Sequence, residues 1–110
     1  MTYPTSNDLI SLVQTMADVL EEKQWKLASA ESCTGGWLAK SCTDLAGSSA
    51  WFDCGLITYS NQSKRDLVNV SKKTLETYGA VSEQTAIEMA QGALAKSRAD
   101  ISVAITGIAG

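Results

Sequence analysis

Residues 25–36, WKLASAESCTGG, hold the segment on which the fold depends. The apolar run at residues 25–30 predicts a short strand, and Thr34 is a suitable N-cap for a helix that continues to about Leu45. Gly35 and Gly36 lie at the junction between the two. A strand that passes through a tight turn into a helix is typical of an α/β fold.

The same alternation continues on both sides of this segment. Apolar spacing predicts a first helix that runs to about Lys23, with Thr5 and Asp8 at capping-box spacing at its start. Further strands are predicted at residues 51–59 and 100–106, and further helices at 62–68, at 72–78 and from Ser82 onward. This order, α-β-α-β-α-α-α-β, favours a largely parallel sheet with helices on both faces.

Two details of packing follow from the same patterns. In the last helix, the small face made by Ala86, Ala90, Ala93 and Leu94 is expected to pack against the sheet. Gly55 lies inside the second predicted strand, where a glycine indicates a bulge or a close approach of another segment.

Composition limits the class of protein. A chain of 110 residues with 45% apolar and 19% charged residues suits one folded domain. A net charge of -3 and a pI of about 4.8 give no electrostatic footprint for nucleic acid. Neither an apolar run of membrane-spanning length nor a signal peptide is recognised in the sequence. Three cysteines without metal-type spacing indicate reduced thiols, which predicts a cytoplasmic location.

Histidine is absent from the sequence. A Ser-His-Asp triad, a Cys-His dyad and a histidine-ligated metal are therefore excluded within this chain. Hydrolytic chemistry would need a lysine, a tyrosine or a carboxylate as its base.

The sequence ends in TGIAG, which resembles the start of a glycine-rich loop. The strand before it is strongly apolar, as is typical of a strand with neighbours on both sides. We therefore expect residues 1–110 to form the N-terminal two-thirds of a single, longer domain.

Polar loops follow all three predicted strands. Residues 31–36 follow the first strand, residues 58–61 with Lys64 the second, and Thr106 and Gly107 the third. In open α/β sheets, ligands bind beyond the carboxyl ends of the strands. If the strands are parallel, the three loops meet at one edge of the sheet and predict a binding site there.

Each loop contributes candidates. Gly35 and Gly36 at a helix start favour anion binding by open amides, although a structural turn is the competing interpretation. Lys64 is a candidate anion ligand or base, and the Tyr59 hydroxyl is a candidate proton relay. Cys33 lies beside the same amides, but a small buried thiol is a more common role for such a residue.

Ser49 and its neighbour Ser48 are separate candidates, because they precede the second strand. A straight strand over residues 51–59 would place them on the order of 25 Å from Tyr59. They share a site with Tyr59 only if the strand begins later, bends near Gly55, or is joined by a second subunit.

Several motifs in register carry a resemblance to a known family: AESCTGGWLAK, AGSSAWF, GLITYSNQSK, YGAVSE and ITGIAG. Together they resemble the CinA C-terminal domain family, whose stand-alone bacterial members act as nicotinamide-nucleotide amidases. The resemblance implies a three-layer α/β/α sandwich and a domain longer than this chain by roughly half again. It also implies hydrolysis of nicotinamide mononucleotide to nicotinic acid mononucleotide and ammonia, with neither a metal nor a cofactor. A catalytically inactive nucleotide-binding paralogue or regulatory module is the alternative.

The resemblance assigns roles to the candidates. A serine activated by Lys64 or Tyr59 is the expected nucleophile: the position at the strand ends favours Ser32, and the recurring GSS motif favours Ser49. Glu31 is expected to hold the ribose or to orient Lys64. The remaining expected substrate-binding residues are Thr34, Gly35, Gly36, Thr106 and Gly107. The implied partner is a small nucleotide, without nucleic acid or membrane, in a chain that is a possible homo-oligomer.

Overall fold

The computed structural model describes residues 6–108. The elements of this part of the chain occur in the predicted order. The helices are α1 Ser6–Lys23, α2 Trp37–Thr43, α3 Asn61–Val68, α4 Lys72–Tyr78 and α5 Glu83–Lys96, and the strands are β1 Leu27–Glu31, β2 Phe52–Ile57 and β3 Ile101–Ile105. Thr5, the predicted start of the capping box, lies outside the described residues. None of the helices within residues 6–108 has the length and apolarity needed to cross a bilayer.

The sheet is parallel, with the strand order β2-β1-β3. All five residues of the central strand β1 are buried. Hydrogen bonds from Ser32 N to Ile105 O (2.9 Å) and from Thr58 N to Glu31 O (2.7 Å) tie the carboxyl ends of the strands together. The prediction of a parallel sheet whose polar loops meet at one edge is confirmed.

Helices cover both faces of this sheet, which confirms the three-layer α/β/α arrangement. On one face, α1 and α2 pack on the sheet through a core that includes Val13, Ala17, Leu20, Leu27, Cys42 and Trp51. On the other, α3 and α5 pack through a core of Ala28, Ala30, Val68, Val70, Met89 and Ala93. Alternate residues of β1 serve the two cores, because successive side chains of a strand point to opposite faces.

Strand β2 is shorter than the predicted 51–59 and contains one irregularity. Leu27 of β1 pairs with Phe52, but the next residue, Ala28, pairs with Cys54, so that Asp53 is the extra residue. The bulge therefore lies at Asp53 and not at Gly55. Gly55 is instead the predicted close approach: a Cβ there would lie 3.0 Å from both Ala39 Cβ and Ser29 Oγ.

Two predicted helix starts are wrong and two are confirmed. Helix α2 begins after Gly36 and not after Thr34, because Gly36 adopts the left-handed conformation (φ 107°) as the N-cap. Helix α3 is capped by Ser60, whose Oγ accepts a hydrogen bond from Ser63 N, so Asn61 belongs to the helix. Ser71 and Ser82 cap α4 and α5, in agreement with the helices predicted at 72–78 and from Ser82 onward.

The inward face of α5 is rotated from the predicted one. Ala93 is buried as expected, but the other buried residues are Thr85, Met89 and Gly92, and Leu94 is 39% exposed. Gly92 explains the rotation, since a Cβ at this position would lie 1.8 Å from Val68 O. The absence of a side chain lets α5 press directly against the end of α3.

Candidate active site

The centre of the site is the side chain of Lys64, which is only 1% exposed. Its Nζ donates hydrogen bonds to Ser32 Oγ (2.9 Å), Thr58 O (2.9 Å) and Tyr59 O (3.0 Å). An ammonium group has three N–H donors, and these three acceptors match them. The structure thus brings together two of the predicted catalytic residues, Ser32 and Lys64.

The fold explains why these two side chains meet. Ser32 follows the central strand β1 and lies on the face covered by α3 and α5, while Glu31 lies on the α2 face. Lys64 is in the first turn of α3, where its backbone N–H donates to Ser60 O at 3.1 Å. Ser60, which caps this helix, is the third residue after the end of β2. A short strand-to-helix connection therefore aims Lys64 back across the end of β1.

Burial favours the neutral amine form of Lys64 over the charged ammonium form. Desolvation lowers the pKa of its ammonium below the usual 10.5, and the neighbouring Cys33 thiol acts in the opposite direction to a smaller extent. Within residues 6–108, its side-chain hydrogen-bond partners include no carboxylate. A lysine with a lowered pKa is more readily available as a base near neutral pH.

The partners of Lys64 also fix where a free amine would point its lone pair. The carbonyls of Thr58 and Tyr59 can only accept hydrogen bonds, whereas the Ser32 hydroxyl can either donate or accept. When Lys64 is neutral, its two remaining N–H bonds suit the two carbonyls. Its lone pair then faces the hydroxyl of Ser32, which is the arrangement needed to take a proton from that serine.

The Glu31 side chain turns away from this cluster toward α2. Its Oε1 accepts hydrogen bonds from Thr34 Oγ1 (2.7 Å) and Leu38 N (2.8 Å), and its Oε2 accepts one from Ala39 N (3.0 Å). The carboxylate is 1% exposed, and its hydrogen-bond partners within residues 6–108 do not include Lys64. Its predicted contact with a ribose stays a prediction, and this burial is unfavourable to it.

The glycine turn before α2 is correspondingly less open than predicted. Gly35 and Gly36 have positive φ angles of 61° and 107°, which carry the chain from Ser32 into the helix. Glu31 binds the first-turn amides of Leu38 and Ala39, and Gly35 N donates to Ser32 O at 3.1 Å, so these three amides already have partners. Substrate binding at Gly35 and Gly36 stays a prediction.

The third loop reaches the same edge through Gly107. A Cβ on Gly107 would lie 3.0 Å from Cys33 Sγ, which means that the backbone of this loop rests against the residue after Ser32. Thr106 is held by its hydroxyl, which donates to Ala80 O at 2.8 Å. Thr106 and Gly107 therefore border the Ser32 turn, as expected from the three strand ends.

Tyr59 and Ser49 are placed differently from the central pair. The Tyr59 side chain is 62% exposed, and the residue contributes its carbonyl oxygen to Lys64. Ser49 is exposed in a 3₁₀ turn, Ser48–Ala50, at the opposite end of the strands from Ser32. There Trp51 O accepts a hydrogen bond from Leu27 N, at the start of β1. The length of β1, on the order of 15 Å, separates that end from Ser32. The late start of β2 does not bring Ser49 to Lys64 within one chain.

Sequence reasoning missed the two carbonyls that hold Lys64. Every residue has a carbonyl, so no residue type marks Thr58 and Tyr59 for this function. The available signal was indirect: a lysine one helical turn after the end of a strand.

One recess of the surface lies apart from this cluster. A mostly apolar recess of about 280 Å³ between α1 and α2 is lined by Leu9, Ile10, Val13, Trp37, Ser41, Asp44 and Leu45. It lacks a nucleophile with an adjacent base, so the chemistry points to Ser32 and Lys64 instead. Among residues 6–108, no group of three or more cysteine, aspartate or glutamate side chains is arranged to hold a metal ion.

Comparison with known proteins identifies close relatives. The profile of the CinA C-terminal domain matches residues 9–110. A nicotinamide-nucleotide amidohydrolase, PncC, from Escherichia coli is 49% identical over 106 residues, which cover 96% of this chain and 64% of that protein. The PncC protein of Enterobacter agglomerans is 58% identical over 91 residues, covering 83% of this chain and 56% of that protein.

Solved structures show the same fold. The competence/damage inducible protein CihA from Agrobacterium tumefaciens superposes with a TM-score of 0.91 at 45% identity, covering 100% of this chain and 66% of that one. A CinA superfamily protein from Escherichia coli gives a TM-score of 0.92 at 36% identity, with 100% and 64% covered. The chain thus spans about two-thirds of the length of these relatives.

Proposed function

The chain belongs to the CinA C-terminal domain family, and on this premise we propose that the whole protein is a nicotinamide-nucleotide amidohydrolase. Its reaction would convert nicotinamide mononucleotide and water to nicotinic acid mononucleotide and ammonia, within pyridine-nucleotide salvage. The similarity to the nicotinamide-nucleotide amidohydrolases of Escherichia coli and Enterobacter agglomerans supports the substrate class. The free cysteines of the described chain are compatible with the cytoplasmic location that we propose for it.

One observation supports this chemistry above all others: the buried Lys64 amine faces the Ser32 hydroxyl and two carbonyls. Amide hydrolysis needs a nucleophile, a base that activates it and an acid that protonates the departing nitrogen. A serine with a lysine beside it supplies all three without histidine. The two carbonyls would orient the lysine, as the aspartate orients the histidine of a classical triad.

In the first half of the reaction, neutral Lys64 takes the hydroxyl proton of Ser32, and Ser32 Oγ attacks the carboxamide carbon. The carbonyl oxygen gains the negative charge of a tetrahedral intermediate. Lys64, now an ammonium, gives its proton to the amide nitrogen, the carbon–nitrogen bond breaks, and ammonia leaves an ester on Ser32.

In the second half, water attacks this ester. Lys64 takes a proton from the water, and the second tetrahedral intermediate collapses with cleavage of the bond to Ser32 Oγ. The lysine returns the proton to Ser32, and the product leaves as the free acid. Atoms balance, because one water enters and one ammonia and one acid leave.

Backbone amides next to Ser32 are suited to the developing oxyanion. Among the hydrogen bonds made by residues 6–108, none uses the backbone N–H of Cys33 or Thr34, the two residues that follow Ser32. Free amides directly after a nucleophile are common donors to a tetrahedral oxyanion. We assign them this function together with the loop at Gly107.

The direct test is ammonia release by the whole protein supplied with nicotinamide mononucleotide. We expect release in step with formation of the nicotinic acid product, unaffected by chelators. A boiled sample is the control, and release no greater than in that control contradicts the proposal. If the nucleotide raises the melting temperature without any turnover, the protein is a binding module instead.

A further inference from the structure

We propose that Glu31 is a positioning residue, which holds the turn that carries Ser32 in register with Lys64. This inference rests on the proposed function and names a further residue on which the same site depends. Glu31 does not touch the reacting atoms. It acts through Ser32, its neighbour in the chain.

The first reason is the position of the Glu31 side chain. Glu31 is the last residue of the central strand and pairs with Ile57 on one side and Ile105 on the other. Its backbone is therefore fixed by both edge strands. The alternation of a strand sends its side chain to the α2 face, while Ser32 lies on the opposite face beside α3.

The second reason is the set of bonds that the carboxylate makes. It accepts hydrogen bonds from the backbone N–H groups of Leu38 and Ala39 in the first turn of α2, and from the hydroxyl of Thr34 in the turn before it. One side chain thus closes the loop of residues 31–39 around Ser32. The remaining ties of the Ser32 backbone are Ser32 N to Ile105 O and Gly35 N to Ser32 O.

The third reason is the cost of keeping this charge inside the protein. The carboxylate is 1% exposed, and the ion pairs found within residues 6–108 do not include it. A buried charge is tolerated only when hydrogen bonds satisfy it, here assisted by the positive end of α2. An apolar residue here would leave the N–H groups of Leu38 and Ala39 without their acceptor, so the fold depends on this carboxylate to hold the turn against α2.

Loss of these hydrogen bonds is expected to displace Ser32 Oγ from its position beside Lys64 Nζ. Nucleophile and base must be within hydrogen-bond reach, and their separation is 2.9 Å. Displacement of a reacting group by about 1 Å can reduce turnover by about 100-fold. Removal of Glu31 leaves substrate contacts in place, so the expected change is in kcat and not in KM.

The experiment compares Glu31 with Glu88, which makes similar bonds away from the site. The Glu88 carboxylate accepts from Ser71 N (2.9 Å) and from Thr74 Oγ1 at the start of α4. We would measure kcat and KM for Glu31→Gln, Glu31→Ala, Glu88→Gln and Glu88→Ala in the whole protein, together with their melting temperatures.

We expect Glu31→Ala to lower kcat by about 10- to 100-fold with little change in KM, and both Glu88 variants to keep the parent kcat. The kcat of Glu31→Gln should lie between that of the parent and that of Glu31→Ala. The amide oxygen of the new side chain can keep the hydrogen bonds from Thr34 and Leu38, whereas its NH₂ group faces the N–H of Ala39 and cannot accept a bond from it. A raised KM at unchanged kcat would identify Glu31 as a substrate ligand instead. A kcat for folded Glu31→Ala equal to that of Glu88→Ala would also overturn the inference.

A second measurement separates this inference from the choice of substrate. Phenylmethanesulfonyl fluoride modifies activated serines, and mass spectrometry reports the rate at Ser32. If the parent is labelled but releases no ammonia, the proposed substrate is wrong, and the labelling rate of Glu31→Gln still tests the positioning. An unchanged rate in that variant contradicts the inference. A parent that shows neither labelling nor turnover contradicts both Ser32 as nucleophile and the function of Glu31.

Discussion

Lys64 Nζ lies 2.9 Å from Ser32 Oγ, although 32 positions separate the two residues in the sequence. The contact exists because β1 lies between two parallel neighbours, and because only residues 58–60 separate the end of β2 from the start of α3. Both groups are almost fully buried, at 1% and 5% exposure. Water therefore competes little for their hydrogen bond, which strengthens the influence of each group on the other.

Substitution of either residue of this pair should abolish turnover. We expect Ser32→Ala and Lys64→Met each to lower kcat by about 1000-fold or more, and the double variant to lose little beyond that, because the two act as a unit. Ammonia release from nicotinamide mononucleotide is the measurement. Ser41→Ala and Lys72→Met are matched controls on α2 and α4.

Ser49→Ala decides between the two candidate nucleophiles. Ser49 is at the far edge of the sheet, so we expect this variant to keep near-parent turnover when the site is formed within one chain. Loss of turnover in Ser49→Ala together with its retention in Ser32→Ala would identify Ser49 as the nucleophile, reached through a second subunit.

The activity should rise with pH because Lys64 must be neutral to accept a proton. Desolvation lowers its pKa, so the ascending limb of kcat against pH should have its midpoint below the usual 10.5 for lysine. Lys64→Arg should eliminate both the limb and the activity, since a guanidinium stays protonated. A limb centred at or above 10.5 would show that burial does not tune this base.

The same lowered pKa has a defined effect on stability. In the pH range between the lowered pKa and 10.5, the unfolded chain binds a proton at Lys64 that the folded chain does not. The contribution of Lys64 to the free energy of unfolding therefore increases with pH through this range. Urea titrations of the parent and Lys64→Met at several alkaline pH values measure it, and a contribution that decreases with pH contradicts the assignment.

Glu88 should stabilise the fold in the opposite part of the pH scale. The hydrogen bond from the Ser71 backbone, with that from Thr74, lowers the pKa of its carboxyl group below the usual 4.5. Its stabilising contribution is then present above pH 4.5 and is lost as the pH falls through the lowered value. The difference in unfolding free energy between the parent and Glu88→Gln should shrink on acidification. A difference that grows in acid would mean that these bonds favour the protonated form.

Gly92→Ala should destabilise the protein even though alanine favours helices. The new Cβ would lie 1.8 Å from Val68 O, and its 2.5 Å approach to Val68 C leaves no room for a small adjustment. We expect a loss of about 3 kcal/mol, after a propensity gain of about 1 kcal/mol. Urea denaturation measures the change.

Gly47→Ala is the matched control for this substitution. Gly47 has a φ of 81° and no atom within 4 Å of its would-be Cβ, so only the backbone conformation opposes alanine. We expect a cost of about 1–2 kcal/mol there. A cost at Gly92 no larger than at Gly47 would show that α5 moves away from α3 easily.

The sequence was sufficient for the order of elements and for the edge of the sheet at which the site forms. Hydrophobic periodicity and helix caps such as Ser71 and Ser82 are local signals, and the ligand rule for parallel sheets then placed Ser32 and Lys64 together. The sequence did not predict that the buried Glu31 side chain binds the first turn of α2. For Glu31 the sequence predicts a contact with the ribose or with Lys64, and nothing local reveals that this carboxylate caps a helix that begins six residues later.

The face of α5 was mispredicted for a related reason. Ala86 and Ala90 suit a close contact as well as Gly92 does when only helical spacing is considered. The choice depends on how near Val68 O comes from α3, and that distance is a property of the assembled layers. Propensity and periodicity are weak where backbone meets backbone.

The extra residue in β2 has a consequence for insertions and deletions during evolution. Asp53 has no partner in the β1 register, so its loss would leave every other residue of β2 opposite its present neighbour. A deletion between Cys54 and Ile57 would instead change the pairing of β2 with β1. It would either draw Asp53 into the buried layer opposite Ala28 or shift the residues after β2, Lys64 included, by one position, about 3.3 Å, away from Ser32. The length of this strand is therefore free to change at one residue and constrained beyond it.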